Sequence, residues 1–396
     1  AVRLCNYMDV YANDYITADL QFMDASASPG EIERYRVARG DVLLTKDSET
    51  PDDIGNSSVV LDDIPDLICG YHLALVRPDP RRIDPVFLAK QLGSAPTARR
   101  FARLASGSTR YGLAASAIAS TTVPIPPLDE QRRVSAVLSS IDDTVKQTEA
   151  LIAKYQQIKA GLMQDLFTRG VTPNGHLRPP RAESPHLYEE SCIGWIPVGW
   201  GVSPIEALLA RIIDYRGKTP EKSVAGVPLI TARNIRMGYI DPEPREFIEE
   251  KTYASWMTRG IPGPSDVVFT TEAPLGNVAQ VGTVDRVAFA QRVLILQTGP
   301  ILQPDFLKFL LMTGDVQRRI SRLATGTTAL GIKQSEFRKI PVSYPLALPE
   351  QLRIVERARS LDERVEADGQ SLDKLRQQKQ GLMHDLLTGK VRVHLA

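Results

Sequence analysis

Stepping along the chain from Val134 by alternating intervals of four and three residues picks out Val134, Leu138, Ile141, Val145, Thr148, Ile152, Tyr155, Lys159, Leu162 and Leu166. The same stepping from Ile354 gives Ile354, Ala358, Leu361, Val365, Asp368, Leu372, Leu375, Lys379, Leu382 and Leu386. Eight of ten positions are apolar in each series, and the polar exceptions fall at the same two places, which is the spacing of a coiled-coil seam. Acids at Asp129, Glu130 and Glu350, proline at Pro349, and glycines at Gly170 and Gly389 mark starts and stops. The pattern predicts a helical rod over 128–168, roughly 60 Å long, and a second beginning near 348. A lone amphipathic rod must bury its stripe. The other copy is the nearest partner, and antiparallel pairing is the simplest geometry because a whole module separates the two in sequence. The alternatives are homodimerisation through the seams, or packing of each rod on its own domain.

The rods are part of a longer repeat. Gly161-Leu162-Met163-Gln164-Asp165-Leu166-Phe167-Thr168 returns as Gly381-Leu382-Met383-His384-Asp385-Leu386-Leu387-Thr388, and Glu130-Gln131-Arg132-Arg133-Val134 returns as Glu350-Gln351-Leu352-Arg353-Ile354. With a one-residue slip the match continues to Leu104-Ala105-Ser106-Gly107-Ser108-Thr109 and Leu323-Ala324-Thr325-Gly326-Thr327-Thr328. Pro-rich stretches at 123–127 and 340–345 predict a strand before each rod, since no helix interior accepts that proline density. Strand-like runs lie at 2–4, 41–45 and 73–76 in the first half and at 227–230, 266–270 and 293–296 in the second. Helix-period segments over 85–104 and 304–323 follow them, so each module reads as α+β.

The division is therefore a first module over 1–127, a rod over 128–170, a linker over 171–194, a second module over 195–347, and a second rod with the C-terminal tail over 348–396. The linker assignment rests on the run Thr172-Pro173-Asn174-Gly175 and the prolines that follow. Val2 aligns with Val227, so the first half has nothing to match 191–226. Either its opening strand and helix are lost, or the chain starts partway through a longer natural one.

Composition narrows the role. The chain of 396 residues suits two domains of ordinary size. Cys5, Cys69 and Cys192 have no metal-binding spacing, and no apolar run approaches the ~18 residues that span a bilayer, so a reducing cytoplasm is expected. A net charge of +1 argues against indiscriminate coating of nucleic acid. Charge is nevertheless concentrated: 81–112 holds seven basic residues against Asp84 alone, and 301–340 holds seven against three acids. A basic stretch before each shared loop is either a phosphate footprint or a solvated helix face.

Catalytic constellations are missing from the sequence. There is no phosphate-cradling GxxxxGK[ST] loop and no GxSxG elbow. The glycine-rich cofactor loop and Asn/Asp-Pro-Pro-aromatic tetrapeptide of a DNA methyltransferase are not found; no acidic-x-Lys partner follows Pro51-Asp52 or Pro304-Asp305 at nuclease spacing, and Glu249-Glu250-Lys251 reads as a solvated surface run. Taken in order, variable module, Pro-rich strand, Leu-x-Glu-Gln, heptad rod and Gly-Leu-Met-x-Asp-Leu-Leu/Phe-Thr, twice over, the chain resembles the DNA-specificity subunits of type I restriction-modification systems. The resemblance implies two similar α/β target-recognition domains joined by two long antiparallel coiled-coil helices with pseudo-twofold symmetry. It implies no catalysis by the chain itself, double-stranded DNA as ligand, and two modification (methyltransferase) subunits as partners, with restriction subunits as a further partner class. No cofactor is expected on this chain; S-adenosylmethionine, ATP and magnesium are expected on the partner subunits. An intramolecular rod pair predicts a monomer when alone, with no membrane contact. A stand-alone methyltransferase or nuclease, and a structural coiled-coil homodimer, are the competing readings.

For DNA contact the candidates are the shared loop, Ser108, Thr109, Arg110 and Tyr111 in one copy and Thr327, Thr328, Lys333 and Gln334 in the other. Its hydroxyls serve as donors or acceptors, and its glycine either allows close backbone approach or ends a helix. The turn after the Asp-Val strand adds Lys46, Asp47 and Ser48, with Thr271 and Glu272; Arg233 and Asn234 are a third set. Residues shared between the rods, Glu130, Arg133, Met163 and Asp165 with Glu350, Arg353, Met383 and Asp385, are candidates for partner contact or for capping and i,i+4 pairing.

Overall fold

The computed structural model describes residues 1–396 apart from 216, 218, 284, 285, 328 and 394–396. The chain divides into two compact units, 1–151 with 368–396, and 152–367. The division cuts through the rods instead of falling at their ends, because each module packs with one end of both helices.

In the first unit the central sheet runs in the spatial order Tyr15–Ile16, Ser57–Val60, Val42–Thr45, Leu73–Val76. The central strand is antiparallel to both neighbours, with Val42 opposite Val59 and Val76. Its apolar run is continuous because both faces are covered. Val42 and Leu44 join Leu88, Leu92 and Phe101 on one side, while Leu43 joins Cys5, Ile16 and Leu67 on the other. The second unit repeats the plan around Val267–Thr271. There Val267 and Phe269 face Phe306, Phe309 and Phe337, and Val268 faces Phe289 and Ile295.

The expected strands form, but each late helical segment is two helices: Pro85–Leu92 and Ala95–Leu104 in one module, Pro304–Met312 and Gly314–Leu323 in the other. Gly93-Ser94 and Thr313 interrupt them, the latter in extended conformation. The two Pro-rich stretches, both expected as strands, differ from each other. Pro341–Pro345 is a strand, antiparallel to Trp200–Pro204, whereas 123–127 is not. The partner strand of Pro341–Pro345 lies within 191–226, a segment to which the internal repeat does not extend. The same segment supplies Leu209–Asp214, which pairs with Val293–Thr298 and closes that sheet edge in the second unit.

Both rods form as continuous helices, Leu128–Arg169 and Leu348–Leu387. All twenty seam residues are buried or half-buried. In the first unit Asp142 contacts Lys379 and Glu149 contacts Arg376; in the second Lys159 contacts Asp362 and Tyr155 lies beneath Arg364. Rising numbers on one helix meet falling numbers on the other, so the pairing is antiparallel within each unit. Gly170 adopts φ +67°, and a side chain there would collide with Glu350, Arg178 and Trp200. The segment after it is an ordered, docked loop and not a free linker, since Val171 is fully buried and Tyr188 donates to the Pro179 carbonyl at 2.6 Å.

Candidate nucleic-acid interface

In each module the central strand delivers its end to the shared loop. In the first, Asp47–Ser48 pairs antiparallel with Tyr111–Gly112, and the Leu113 N–H donates to the Lys46 carbonyl at 2.7 Å. In the second, Glu272 bridges Gly331, and the Ile332 N–H donates to the Thr271 carbonyl at 2.9 Å. The loops are closed at their base by Ser106 with Gly112 and by Thr325 with Gly331. Gly107 and Gly326 lie inside them at φ +146° and +128°, where a Cβ would strike the carbonyls of Arg110 and Ala329. Tight closure, not the end of a helix, requires glycine here, because the preceding helices already stop at Leu104 and Leu323.

Two candidate sets thus become one surface per module. Ser108, Thr109 and Arg110 are exposed, Tyr111 is half-buried, and the Lys46 ammonium sits 4.7 Å above the ring of Tyr71. Ser48 is withdrawn: it is 7% exposed and its hydroxyl accepts from the Thr50 N–H at 3.3 Å. In the second module Thr327 and Lys333 are exposed and Gln334 opens a short helix. Thr328 lies outside the described residues. Thr271 is 2% exposed, so only its neighbour Glu272 reaches the surface. Loop alignment places Ala329 opposite Arg110, so Lys333 is a basic residue at a different position.

Arg233 is exposed, but Asn234 is 1% exposed and braces its own turn. Its amide oxygen accepts from Thr231 N–H and hydroxyl, and its nitrogen donates to the Asp241 and Pro244 carbonyls, each at 3.1 Å. A buried amide with this many internal partners is a structural residue.

Several surface groups escaped the sequence reading. Tyr7 and Tyr11 stack at 5.5 Å, with Tyr7 near Ser48 and Arg110; Tyr71 is 82% exposed and stands edge-on to His72. Arg99 and Arg103, one turn apart, lie on the exposed face of a helix whose Thr97 and Phe101 are buried; Arg318 and Arg322 repeat this opposite Val316 and Ile320. Between them Arg100 donates to the Ser120 carbonyl at 2.8 Å, as Arg319 does to the Pro341 carbonyl at 2.6 Å. The basic stretches had signalled these arginines, but only the helix phase separates the exposed pair from the braced one.

The rod candidates are mostly engaged within the chain. Glu130, nearly buried, accepts two bonds of 2.7 Å from Arg392, which hold its carboxyl below the ordinary carboxylate range. Glu350 accepts from Arg178, from the Trp200 indole at 3.1 Å and from the Val171 N–H at 3.0 Å. Met163 is 8% exposed in a core cluster, and Met383 packs near Phe87, Val134 and Leu138. Arg133 donates to the Val393 carbonyl and Arg353 is half-buried. Asp165 and Asp385 pair with Arg169 and Lys390.

A further ionic cluster ties the first module to its rods. Lys90, 5% exposed, contacts Asp14 at 2.8 Å and Asp142 at 2.6 Å, and Lys379 contacts the same two acids. Burial alone would raise the Asp14 pKa, but the two lysines outweigh it and hold the carboxyl down at about 2. Burial would likewise lower Lys379, and the two acids keep it above its ordinary value. Among the described residues no cluster of metal-ligating side chains occurs and no helix is long and apolar enough to cross a membrane.

Each module therefore carries a paired loop beside an exposed arginine face, and the first adds Tyr7, Tyr11 and Tyr71 near its loop. Residues 6–157 match the type I restriction modification DNA specificity domain. The chain is 23% identical over 370 residues to the putative type I restriction enzyme MjaX specificity subunit of Methanocaldococcus jannaschii, covering 92% of this chain and 81% of that one. It is 28% identical over 282 residues to the MjaVIII specificity subunit of the same organism, covering 68% and 62%. Among solved structures, the S subunit of a type I restriction-modification system from M. genitalium superposes with a TM-score of 0.56 at 13% identity, over 98% of this chain and 92% of that one. A chain from a type I R-M system solved for its complex assembly and conformational transition gives 0.53 at 18%, over 89% and 82%. The first module thus matches a type I DNA specificity domain, and the chain as a whole is similar to specificity subunits of type I restriction-modification systems.

Proposed function

We propose that the chain is the non-catalytic, sequence-specific DNA-binding subunit of a type I restriction-modification complex, reading a bipartite double-stranded target with one module per half. The observation that carries this is the repetition of one surface: strand end, closed glycine loop and exposed arginine pair recur at matching positions, while the loop diverges after its shared hydroxyls, Arg110-Tyr111 in one copy and Ala329-Leu330 in the other. Arginines on the helix face suit phosphate, which positions a protein on DNA without reading it. The divergent loop residues suit base edges in the major groove, where all four base pairs are distinguishable. The paired rods act as spacer between the readers. Two modification subunits dock on the assembly, with restriction subunits as further partners. Those subunits carry S-adenosylmethionine, ATP and magnesium, and this chain binds none of them. Alone it is a cytoplasmic monomer.

Co-expression with the cognate modification subunit, followed by sequencing of modified DNA, tests the reading. The pair should give adenine methylation at a split motif, and the purified chain alone should neither methylate nor cleave. Robust methylation or cleavage by the isolated chain would refute it.

A further inference from the structure

Each module holds one side chain in front of its glycine loop by an acid at the end of the central strand. Asp47 lies two residues beyond Thr45, which pairs with Leu73; Glu272 lies two beyond Thr270, which pairs with Val293. The residue just before each of those partner strands is His72 or Arg292. Asp47 Oδ2 is 2.6 Å from His72 Nδ1, and Glu272 Oε2 is 3.6 Å from Arg292 Nε. The same place in two copies of one scaffold therefore holds the same kind of pair with a different head group. Both head groups are accessible, with side chains 43% and 48% exposed.

The backbone adds a second observation. Arg292 has φ +72°, a conformation that costs a residue with a side chain and that concentrates where function requires a particular orientation. Arg292, Glu272, Thr325 and Lys333 line one shallow depression beside the loop. Glu272, at ion-pair distance from Nε but beyond hydrogen-bond reach, leaves the two terminal guanidinium nitrogens as the fork that matches guanine O6 and N7. An acid on Nδ1 of a histidine fixes the ring and leaves Nε2 for a single base-edge contact.

We infer that His72 and Arg292 are specificity-determining base readers, one for each half of the target, and that Asp47 and Glu272 are their positioning residues. Arg292 fits guanine; His72 fits a base presenting one acceptor or donor. This deepens the DNA-reading proposal and depends on it.

The test is to express His72→Gln, Arg292→Lys, Asp47→Asn and Glu272→Gln chains with the modification subunit, map the methylated motif, and measure base preference position by position. Arg292→Lys should relax discrimination at one position of one half-site by roughly tenfold to a hundredfold, leaving the other half and the gap intact. His72→Gln should act only on the other half. Each positioning variant should relax the same position as its reader, by less. Unchanged preference in chains that melt with the wild type would overturn the assignment, as would uniform weakening across all sequences, the mark of a phosphate contact. Failure of the wild-type chain to give any methylated motif would instead refute the DNA-reading proposal.

Discussion

Gln131 and Gln351 are fully buried, and each makes the same three bonds. Gln131 accepts from the Asp84 N–H at 2.8 Å and donates to the carbonyls of Arg82 at 3.2 Å and Pro126 at 2.8 Å. Gln351 accepts from Gln303 N–H at 2.9 Å and donates to Ile301 at 2.9 Å and Pro345 at 2.8 Å. The Glu-Gln pair is thus a clasp that fastens the first turn of each rod to its module, with the glutamate held by Arg392 or Arg178. Gln131→Ala would orphan buried backbone groups at ~1–3 kcal/mol each, so with partial relaxation urea unfolding should show a loss of about 2–4 kcal/mol; unchanged stability would deny the clasp. The sequence shows that these residues recur, but not why. Two of each glutamine's three partners are backbone groups about fifty positions away, and a backbone N–H or carbonyl carries no identity that a sequence can display. Asn234 misleads for a related reason: an exposed reader and a buried brace look alike until burial is known.

At the scale of elements the rods are the most legible part, because a heptad seam is a local pattern that survives any tertiary context. The two lysines in the seam mark the register. Lys159 meets Asp362 and Lys379 meets Asp142, pairs related by the repeat, and a polar residue at a seam position specifies alignment. Their partner acids sit one residue off the seam, which periodicity alone does not reveal. Lys159→Glu should destabilise the protein by about 1–3 kcal/mol, between the surface and buried limits, and adding Asp362→Lys should recover most of it in a double-mutant cycle. No coupling between the two sites would place the register elsewhere. The strands were legible from their apolar runs, whereas the strand at 123–127 was overestimated. A proline-rich stretch becomes a strand only when a partner ladder exists, as Trp200–Pro204 provides for Pro341–Pro345. The helix breaks at Gly93-Ser94 and Thr313 lie within continuous helical periodicity and are set by packing.

For the whole molecule, the proposed function makes each module a reader that works independently of the other. Both units build the same clasp, the same antiparallel contacts between helices and the same pairing of an acid with an exposed side chain, while Arg110 and Tyr111 of the first loop are replaced by Ala329 and Leu330 in the second. The internal repeat made this organisation visible in the sequence. What it could not show is the convergence of strand end and loop, which depends on pairings such as Ser48 with Tyr111 across sixty-three residues. The most direct test is to replace residues 195–347 with the matching module of another specificity subunit, co-express the chimera with the modification subunit, and map the methylated motif by sequencing. One half of the motif should change to that of the donor while the other half and the gap stay as they were; a change in both halves together would contradict independent reading.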